Sequence, residues 1–202
     1  MISIIVPIRR EEPDVEQRLP PFARDPSCEL LIAGGQGSRG ARLSRAASQA
    51  RGDVFFFLHG DSRPPDGALL LIRETLEGGA DAGAFSLAYE GGGRAMRWVA
   101  WWANRRSRRW SLPFGDQGIF CRREAYERSG GFRDLPICDD LDFVLRLRRA
   151  GRFVVRPEET WTSPRRYVEV GVVRQVLRNW RVILGYFAGV APEKLARWYE
   201  GP

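Results

Sequence analysis

Three short apolar runs, at residues 3–8, 29–33 and 55–58, dominate the N-terminal part of the chain. Runs of this length, bounded by polar residues or glycine, are typical of strands that are buried on both faces of a parallel sheet. Segments with helical spacing separate them, at 14–22 and at 41–50. The alternation predicts an α/β fold with right-handed crossovers and a mainly parallel central sheet flanked by helices.

Length and composition indicate one folded unit. With 202 residues and 44% hydrophobic content, the chain is long enough to bury one substantial core, so we expect a single domain over residues 1–202. Three widely spaced cysteines, Cys28, Cys121 and Cys138, fit a reducing compartment. The N-terminus lacks the layout of a signal peptide, and no apolar run reaches the ~18 residues of a membrane span. We therefore expect a cytoplasmic protein.

The charge balance narrows the class of partner. The chain carries 32 basic and 25 acidic residues, for a net charge of +7, and arginine supplies nearly all of the positive charge. Because the planar guanidinium group suits phosphate oxygens, nucleotides, nucleic acid and anionic lipid head groups are the partners to consider, beside a merely solvated basic surface.

The apolar run at 55–58 is followed by His59, Gly60 and Asp61 and then by a proline-rich turn. Ligands of α/β proteins bind at the carboxyl ends of parallel strands, where one aspartate can hold Mg²⁺ or Mn²⁺ against a diphosphate. The alternative is an ordinary turn aspartate. For His59, packing beneath the loop is favoured over contact with a metal or diphosphate.

A second set of polar residues lies in the C-terminal half. Gly115, Asp116 and Gln117 precede a short apolar run at 119–121, where they form either part of a site or a simple turn. Asp139 and Asp140 open a predicted helix that extends to about residue 150. Carboxylates at a helix start stabilise the exposed N–H groups, but one of them could equally serve as a general base.

The order of these motifs resembles the small bacterial members of glycosyltransferase family 2. The resemblance is carried by the proline that ends the first strand, by residues 59–62, by 115–117, by the acidic pair 139–140 with Asp142, and by the segments 162–166 and 185–199. It spans almost the whole chain, and although each motif is weak alone, their order is fairly specific. Members of this family are inverting enzymes with a GT-A fold.

The resemblance implies a metal-dependent transfer of sugar from a nucleotide-diphospho-sugar to an acceptor hydroxyl. It implies that Asp61 binds the metal, Mn²⁺ or Mg²⁺, and that Asp140 is the general base. Because Asp139 replaces the usual glutamate of the acidic pair, either carboxylate remains a candidate base. The donor-binding residues would be Pro7, Arg42, Asp61, Arg165 and Arg166. The acceptor side would be formed by Gly115, Asp116 and Gln117.

One position departs from the family pattern, and it belongs to an alternative motif. Ala33 stands where the family usually has an aspartate that contacts the nucleobase or ribose, so base recognition there is lost or moved. Gly35, Gly37 and Gly40 form a literal G-x-G-x-x-G after a predicted strand, with Asp61 at the distance of a ribose-binding acid. A dinucleotide-binding, Rossmann-like protein is therefore the alternative function.

Two basic, aromatic segments raise the question of a surface partner. Trp98, Trp101 and Trp102 precede an arginine run, and this combination is compatible with binding of single-stranded nucleic acid. The three tryptophans are explained more simply as one apolar face of a helix. We therefore expect no nucleic acid partner. Residues 171–187 place an apolar arc beside Arg174, Arg178 and Arg181. This pattern fits a core-facing surface helix or a helix lying on the inner face of a membrane, where the acceptor would be lipid-linked or apolar.

Overall fold

The computed structural model describes residues 1–8, 25 and 27–200, so the helix expected at 14–22 lies outside the described residues. The strands in the described part are β1 (Ile2–Pro7), β2 (Cys28–Ala33), β3 (Val54–Phe57), β4 (Ser62–Arg63), β5 (Ala82–Tyr89), β6 (Ile119–Arg122) and β7 (Phe153–Thr162). The helices there are α1 (Arg39–Gln49), α2 (Ala68–Glu77), α3 (Gly93–Trp110), α4 (Arg123–Ser129), α5 (Asp139–Ala150), α6 (Arg165–Val170), α7 (Val172–Phe187) and α8 (Pro192–Glu200).

The strands form one mixed sheet in the order β2-β1-β3-β6-β5-β7-β4. As the N-terminal pattern predicts, β1 lies parallel to both β2 and β3, and β5 is parallel to β7. The pairings of β6 with β3 and β5, and of β4 with β7, are antiparallel. The reversed direction of β6 matters for the site, because residues just before an antiparallel strand lie at the same sheet edge as residues just after its neighbours.

The apolar run in β3 is buried on both faces of the sheet. Phe55 and Phe57 pack with α1, α4 and α5 on one side, whereas Phe56 packs with α2 on the other. All three side chains are almost fully removed from solvent. Each such burial contributes about 1.5–3 kcal/mol, so this strand is a main source of the core's stability.

A smaller apolar cluster attaches the C-terminal helices to the rest of the fold. Val182 of α7, Leu195 of α8 and Leu141 of α5 are buried together. The two C-terminal helices approach closely at Gly185, where an added Cβ would lie 2.6 Å from a methyl carbon of Leu195. Helix α8 is thus held over the start of α5.

The core-facing interpretation of the helix at 171–187 is wrong. Helix α7 turns Gln175, Val182 and Gly185 inward, and the large apolar residues face solvent. Their exposed fractions are 73% for Val173, 65% for Leu177, 47% for Trp180, 62% for Leu184 and 56% for Phe187. The reason is steric, because only the narrow side with Gly185 lets α8 approach. In the part of the chain that the structure describes, no helix is long and apolar enough to cross a membrane.

Candidate active site at the carboxyl edge of the sheet

Three of the predicted site residues, Pro7, Gly115 and Asp140, meet where β1 and β3 end and β6 begins. Residue Phe57 of β3 pairs with Ile119 of β6, which brings the turn at 115–117 beside the loop after β3. A small cavity at this edge is lined by Pro7, Arg39, His59, Gly115 and Asp140, together with apolar residues. The topology therefore joins motifs that lie more than half the chain apart.

Arg39, the first residue of α1, organises this edge. Its Nε and Nη2 atoms donate to the two carboxylate oxygens of Asp139, at 2.8 and 2.7 Å. The same Nη2 lies 3.2 Å from Oδ2 of Asp140, and Nη1 lies 3.0 Å from Nε2 of His59. Burial lowers the pKa of Arg39, but the adjacent Asp140 and Asp139 outweigh it and raise that pKa above its ordinary value. One fully charged guanidinium thus fixes two acidic side chains and the histidine.

Two glycines permit this close packing. A Cβ at Gly115 would lie 2.6 Å from Nε2 of His59 and 3.3 Å from Oδ2 of Asp140. A Cβ at Gly40 would lie 2.1 Å from the carbonyl oxygen of Arg133, just before α5. His59 therefore packs beneath the loop at 115–117, in agreement with the favoured prediction, and α1 touches the segment that leads into α5.

Asp139 and Asp140 differ in what remains open to a ligand. Both oxygens of Asp139 accept hydrogen bonds from Arg39, and the residue is only 3% exposed. Asp140 lines the cavity and accepts N–H bonds from Gly115 at 2.9 Å and Leu141 at 2.8 Å. Burial raises the pKa of Asp140, but Arg39 and the Gly115 N–H together outweigh burial and lower this pKa below its ordinary value. The carboxylate is therefore ionised at neutral pH.

Asp116 is the least compensated carboxyl group of the site. Burial raises its pKa to about 6, the nearby Arg106 opposes this rise, and the charges of Asp140 and Asp61 add to it. Its Oδ1 atom is buried and has no hydrogen-bond partner among the described residues. Asp61 and Asp140 are thus both close enough to Asp116 for their charges to raise its pKa.

Gln117 is placed differently from the acceptor-side role assigned to it. It is fully buried, and its Oε1 accepts from Ser107 Oγ at 2.8 Å while its Nε2 donates to the carbonyl oxygen of Phe85 at 2.9 Å. Its amide is thus used inside the protein. Gln117 anchors the turn that carries Gly115 and Asp116, and the side chain itself does not line the cavity.

The predicted donor-binding arginines are distributed unevenly. Nε of Arg42 is buried and has no hydrogen-bond partner among the described residues. Arg166 lies 4.1 Å from the ring centre of Tyr199. Burial raises the pKa of Tyr199, Arg166 opposes this rise, and the charges of Asp140 and Asp116 add to it, so Tyr199 and Arg166 lie near these two carboxylates. Arg165 is 82% exposed and bonds to Glu169 at 2.7 Å along its own helix.

Two charged residues of the site were missed at the sequence level. Arg39 lies inside the glycine motif and Arg106 inside an arginine run, so neither stands out locally. The Arg106 guanidinium lies 3.7 Å from the ring centre of Phe114 and donates to the carbonyl oxygen of Leu112 at 3.0 Å. An arginine at the start of a helix that follows a ligand-edge strand is the signal that could have indicated Arg39.

The glycine motif follows β2 and opens α1, as the alternative interpretation requires. However, β2 is the edge strand of the sheet rather than a central one, and Gly40 serves helix packing. The side chain of Ala33, at the end of β2, is 2% exposed and belongs to the core, so it cannot recognise a base. These features favour the transferase interpretation over dinucleotide binding.

Comparison with solved structures shows the fold. A mannosyltransferase, PcManGT from Pyrobaculum calidifontis in complex with GDP-Man and Mn²⁺, matches with a TM-score of 0.59 and 16% identity over 90% of this chain and 60% of that chain. TarS 1-349 from S. aureus in complex with UDP-GlcNAc matches with a TM-score of 0.57 and 13% identity over 80% and 58%. Drosophila beta1,4galactosyltransferase 7 in complex with xylobiose matches with a TM-score of 0.51 and 16% identity over 78% and 64%.

The fold is therefore that of GT-A-type glycosyltransferases, which confirms the predicted fold class. The chain spans about three fifths of the length of these solved chains, one of which is residues 1-349 of TarS and another the catalytic domain of the galactosyltransferase. No protein-family model matches the sequence, and no curated protein matches it.

Proposed function

We propose that this chain is a glycosyltransferase that moves a sugar from a nucleotide-diphospho-sugar donor to an acceptor hydroxyl, with inversion at the anomeric carbon. The observation that supports the proposal is a GT-A-type sheet with a cavity at its carboxyl edge that Pro7, Gly115 and Asp140 line. The structural relatives with bound UDP-GlcNAc and GDP-Man support the donor class.

In this proposal Asp140 is the general base. A single displacement needs a carboxylate on the acceptor side and no covalent nucleophile. Asp140 takes the hydroxyl proton as the acceptor oxygen bonds to the anomeric carbon, while the bond from that carbon to the diphosphate oxygen breaks and the nucleoside diphosphate leaves. The geometry supports Asp140 over Asp139, because Asp140 lines the cavity whereas Asp139 does not and is 3% exposed.

Asp61 is the proposed ligand of a divalent metal, Mn²⁺ or Mg²⁺. The described residues contain no group of three or more acidic, histidine or cysteine side chains that could hold a metal. An exposed carboxylate at the end of a strand does fit a metal that is held jointly with the donor's phosphates, because Mg²⁺ commonly binds through one or two carboxylates plus substrate phosphates. When bound, such an ion neutralises the charge of the leaving diphosphate.

Arg42 and Arg166 are the proposed contacts to the donor diphosphate, since one has a buried unpartnered Nε and the other lies beside Tyr199 near the site. Pro7 would border the donor where it lines the cavity, and Gly115 and Asp116 would face the acceptor. Arg165 is retained as a donor-side candidate only if it leaves Glu169 on binding. We also propose that the exposed face of α7 lies on the inner surface of a membrane, where an apolar or lipid-linked acceptor would be found.

A thermal-shift panel of nucleotide sugars, with and without Mn²⁺, tests the donor class. We expect at least one nucleotide sugar to stabilise the protein in a Mn²⁺-dependent manner. The variant Asp61→Ala should lose the Mn²⁺-dependent part of the shift, and Asp140→Asn should keep it but lose transfer by about 10²–10⁴-fold, the usual contribution of a general base.

Asp66→Ala and Asp134→Asn are the matched controls, because both side chains are exposed aspartates that the proposal leaves unused. Near-normal turnover of Asp140→Asn would refute its assignment as the base. Stabilisation by nicotinamide cofactors, with none by nucleotide sugars, would replace the transferase proposal with the dinucleotide-binding one.

A further inference from the structure

A cleft of about 1040 Å³ lies between helix α3 and the ends of strands β5 and β7, outside the cavity that contains Asp140. Its floor is formed by Leu87, Ala88 and Tyr89 of β5. Asn104 fixes α3 to this strand, because its side-chain amide bonds to both the N–H and the carbonyl oxygen of Leu87, at 2.7 and 2.9 Å. The cleft is therefore a built feature of the fold.

The lining of the cleft is strongly basic. Helix α3 contains six arginines and no acidic residue, and four of these arginines line the cleft: Arg97, Arg105, Arg108 and Arg109. In the described part of the chain none of the four has an ion pair, although Arg108 donates to Ser86 Oγ at 3.0 Å. Glu159 is the one carboxylate in the lining. Such uncompensated positive charge suits a phosphate group.

Tryptophans accompany these arginines. Trp101 and Trp161 line the cleft, and the guanidinium of Arg105 lies 5.7 Å from the ring centre of Trp101. On the outer side of α3, Trp98 is 54% exposed and Trp102 is 45% exposed. Tryptophan and arginine together are typical of surfaces at the membrane–water interface.

The surroundings of the cleft include helix α7 and the candidate active site. Helix α3 contacts α7, whose large apolar residues face solvent and whose charged residues are all arginines. At its other end the cleft includes Tyr89, whose pKa is raised by burial and by the charge of Asp116. The helix that borders the cleft therefore also contacts α7, and one lining residue, Tyr89, is close enough to Asp116 to be affected by its charge.

We propose that this cleft binds the phosphate head group of a lipid in a bilayer, with the arginines on the phosphate and the tryptophans in the interfacial layer. The inference rests on the proposed function, because it assigns the acceptor-side cleft of that transferase to a membrane lipid. It goes further in naming the residues and the chemistry of the ligand: a phosphate carried on an apolar chain.

Vesicle co-sedimentation tests the proposal with phosphatidylcholine vesicles that contain or lack phosphatidic acid. The wild-type protein should bind only the vesicles that carry phosphatidic acid. The double variant Arg105→Glu and Arg109→Glu should bind them at least about tenfold more weakly, because each arginine near an anionic membrane contributes to binding. The matched control, Arg148→Glu and Arg149→Glu, makes the same charge change at two exposed arginines of α5 and should bind within about twofold of wild type.

A second measurement uses the wild-type protein alone, so it does not depend on how the variants fold. Brominated lipid chains should quench tryptophan fluorescence when phosphatidic acid is present and leave it unchanged when only phosphatidylcholine is present. Absence of quenching in both cases would overturn the proposal.

Three further outcomes would also overturn it. They are equal loss of vesicle binding in both double variants, binding of inorganic phosphate without vesicle binding, and salt-dependent binding of generic DNA that requires Arg105 and Arg109 while vesicles are ignored. The thermal shift with nucleotide sugars is measured without vesicles. If no nucleotide sugar stabilises the wild-type protein while vesicle binding is observed, the result contradicts the transferase proposal and leaves the lipid proposal standing.

Discussion

The carboxyl edge of the sheet and the outer surface of α3 and α7 differ in whether their arginines have acidic partners within the protein. At the sheet edge Arg39 is bonded to Asp139, Asp140 and His59, and these partners come from helix α5 and from the loop after β3. On α3 and α7 the arginines stand beside exposed tryptophans and aliphatic residues, on helices with no acidic residue. Charges that are paired internally hold a fixed geometry, whereas charges left without a counterion are suited to a partner that brings its own negative charge.

The largest expected effect concerns the internally paired region. Arg39→Gln should lower the free energy of unfolding by about 2–4 kcal/mol at neutral pH, because it leaves the buried carboxylate of Asp139 without its cation. Urea unfolding followed by circular dichroism measures this difference. The control is Arg51→Gln, which removes an ion pair to Glu29 from an arginine that is 78% exposed and should cost less than about 1 kcal/mol. Equal effects of the two substitutions would show that the enclosed pair is no different from a surface pair.

The next effect concerns the externally directed region. The triple variant Arg174→Glu, Arg178→Glu and Arg181→Glu should weaken binding to anionic vesicles by about 100-fold or more, since each arginine contributes about 1 kcal/mol near an anionic surface. Arg174 is exposed, whereas Arg181 lies 4.3 Å from the ring centre of Trp198 on α8, so part of any change in the free energy of unfolding is expected from that contact. Unchanged vesicle binding would show that α7 does not contact the membrane.

The smallest expected effect concerns Asp116, a carboxyl group of the candidate site whose charge changes with pH. Burial raises its pKa to about 6, so the folded protein holds this proton more tightly than the unfolded chain, whose aspartate titrates near 3.8. Asp116 therefore favours folding below pH 3.8, and this contribution is lost as the pH rises through 6.

Asp116→Asn should consequently become more stable relative to wild type by about 1–2 kcal/mol between pH 4 and pH 7, measured as the difference in unfolding free energy. Asp134→Asn, at an exposed position, should show no such dependence. A difference that does not change with pH would mean that the charge of Asp116 is compensated in the folded protein.

Much of the fold could be predicted from local patterns. The apolar runs at 3–8, 29–33 and 55–58 correspond to β1, β2 and β3, and the helices at 41–50 and 139–150 correspond to α1 and α5. These elements bury one stripe or both faces, so their period in the sequence is directly the signature of their burial. The antiparallel direction of β6 was not predictable in this way, since a run of four residues looks the same in either direction.

The site was predicted in part, through the order of its motifs. The roles of Asp61, Asp116 and Asp140 came from the family resemblance of their motifs, and in the structure the charges of Asp61 and Asp140 both act on Asp116. The partner that fixes Asp139 could not be chosen, because Arg39 is 100 positions away and sits in a segment that suggested another function. Gln117 was assigned to the acceptor side because its neighbours belong there, but its own amide is occupied within the core.

The sequence by itself determined the first three strands and helices α1 and α5, and which acidic residues lie near a strand end or a helix start, but it did not indicate β5, β7 or α2. Only the tertiary structure decided that the apolar side of α7 faces outward, that Asp139 is closed off while Asp140 is open, and that α3 borders a basic cleft. The physical reason is that periodicity describes one element, whereas exposure and pairing depend on which other element reaches it. At Gly185 and Gly115 a neighbouring element can approach closely because glycine has no Cβ. A glycine in the sequence does not indicate which element will approach it.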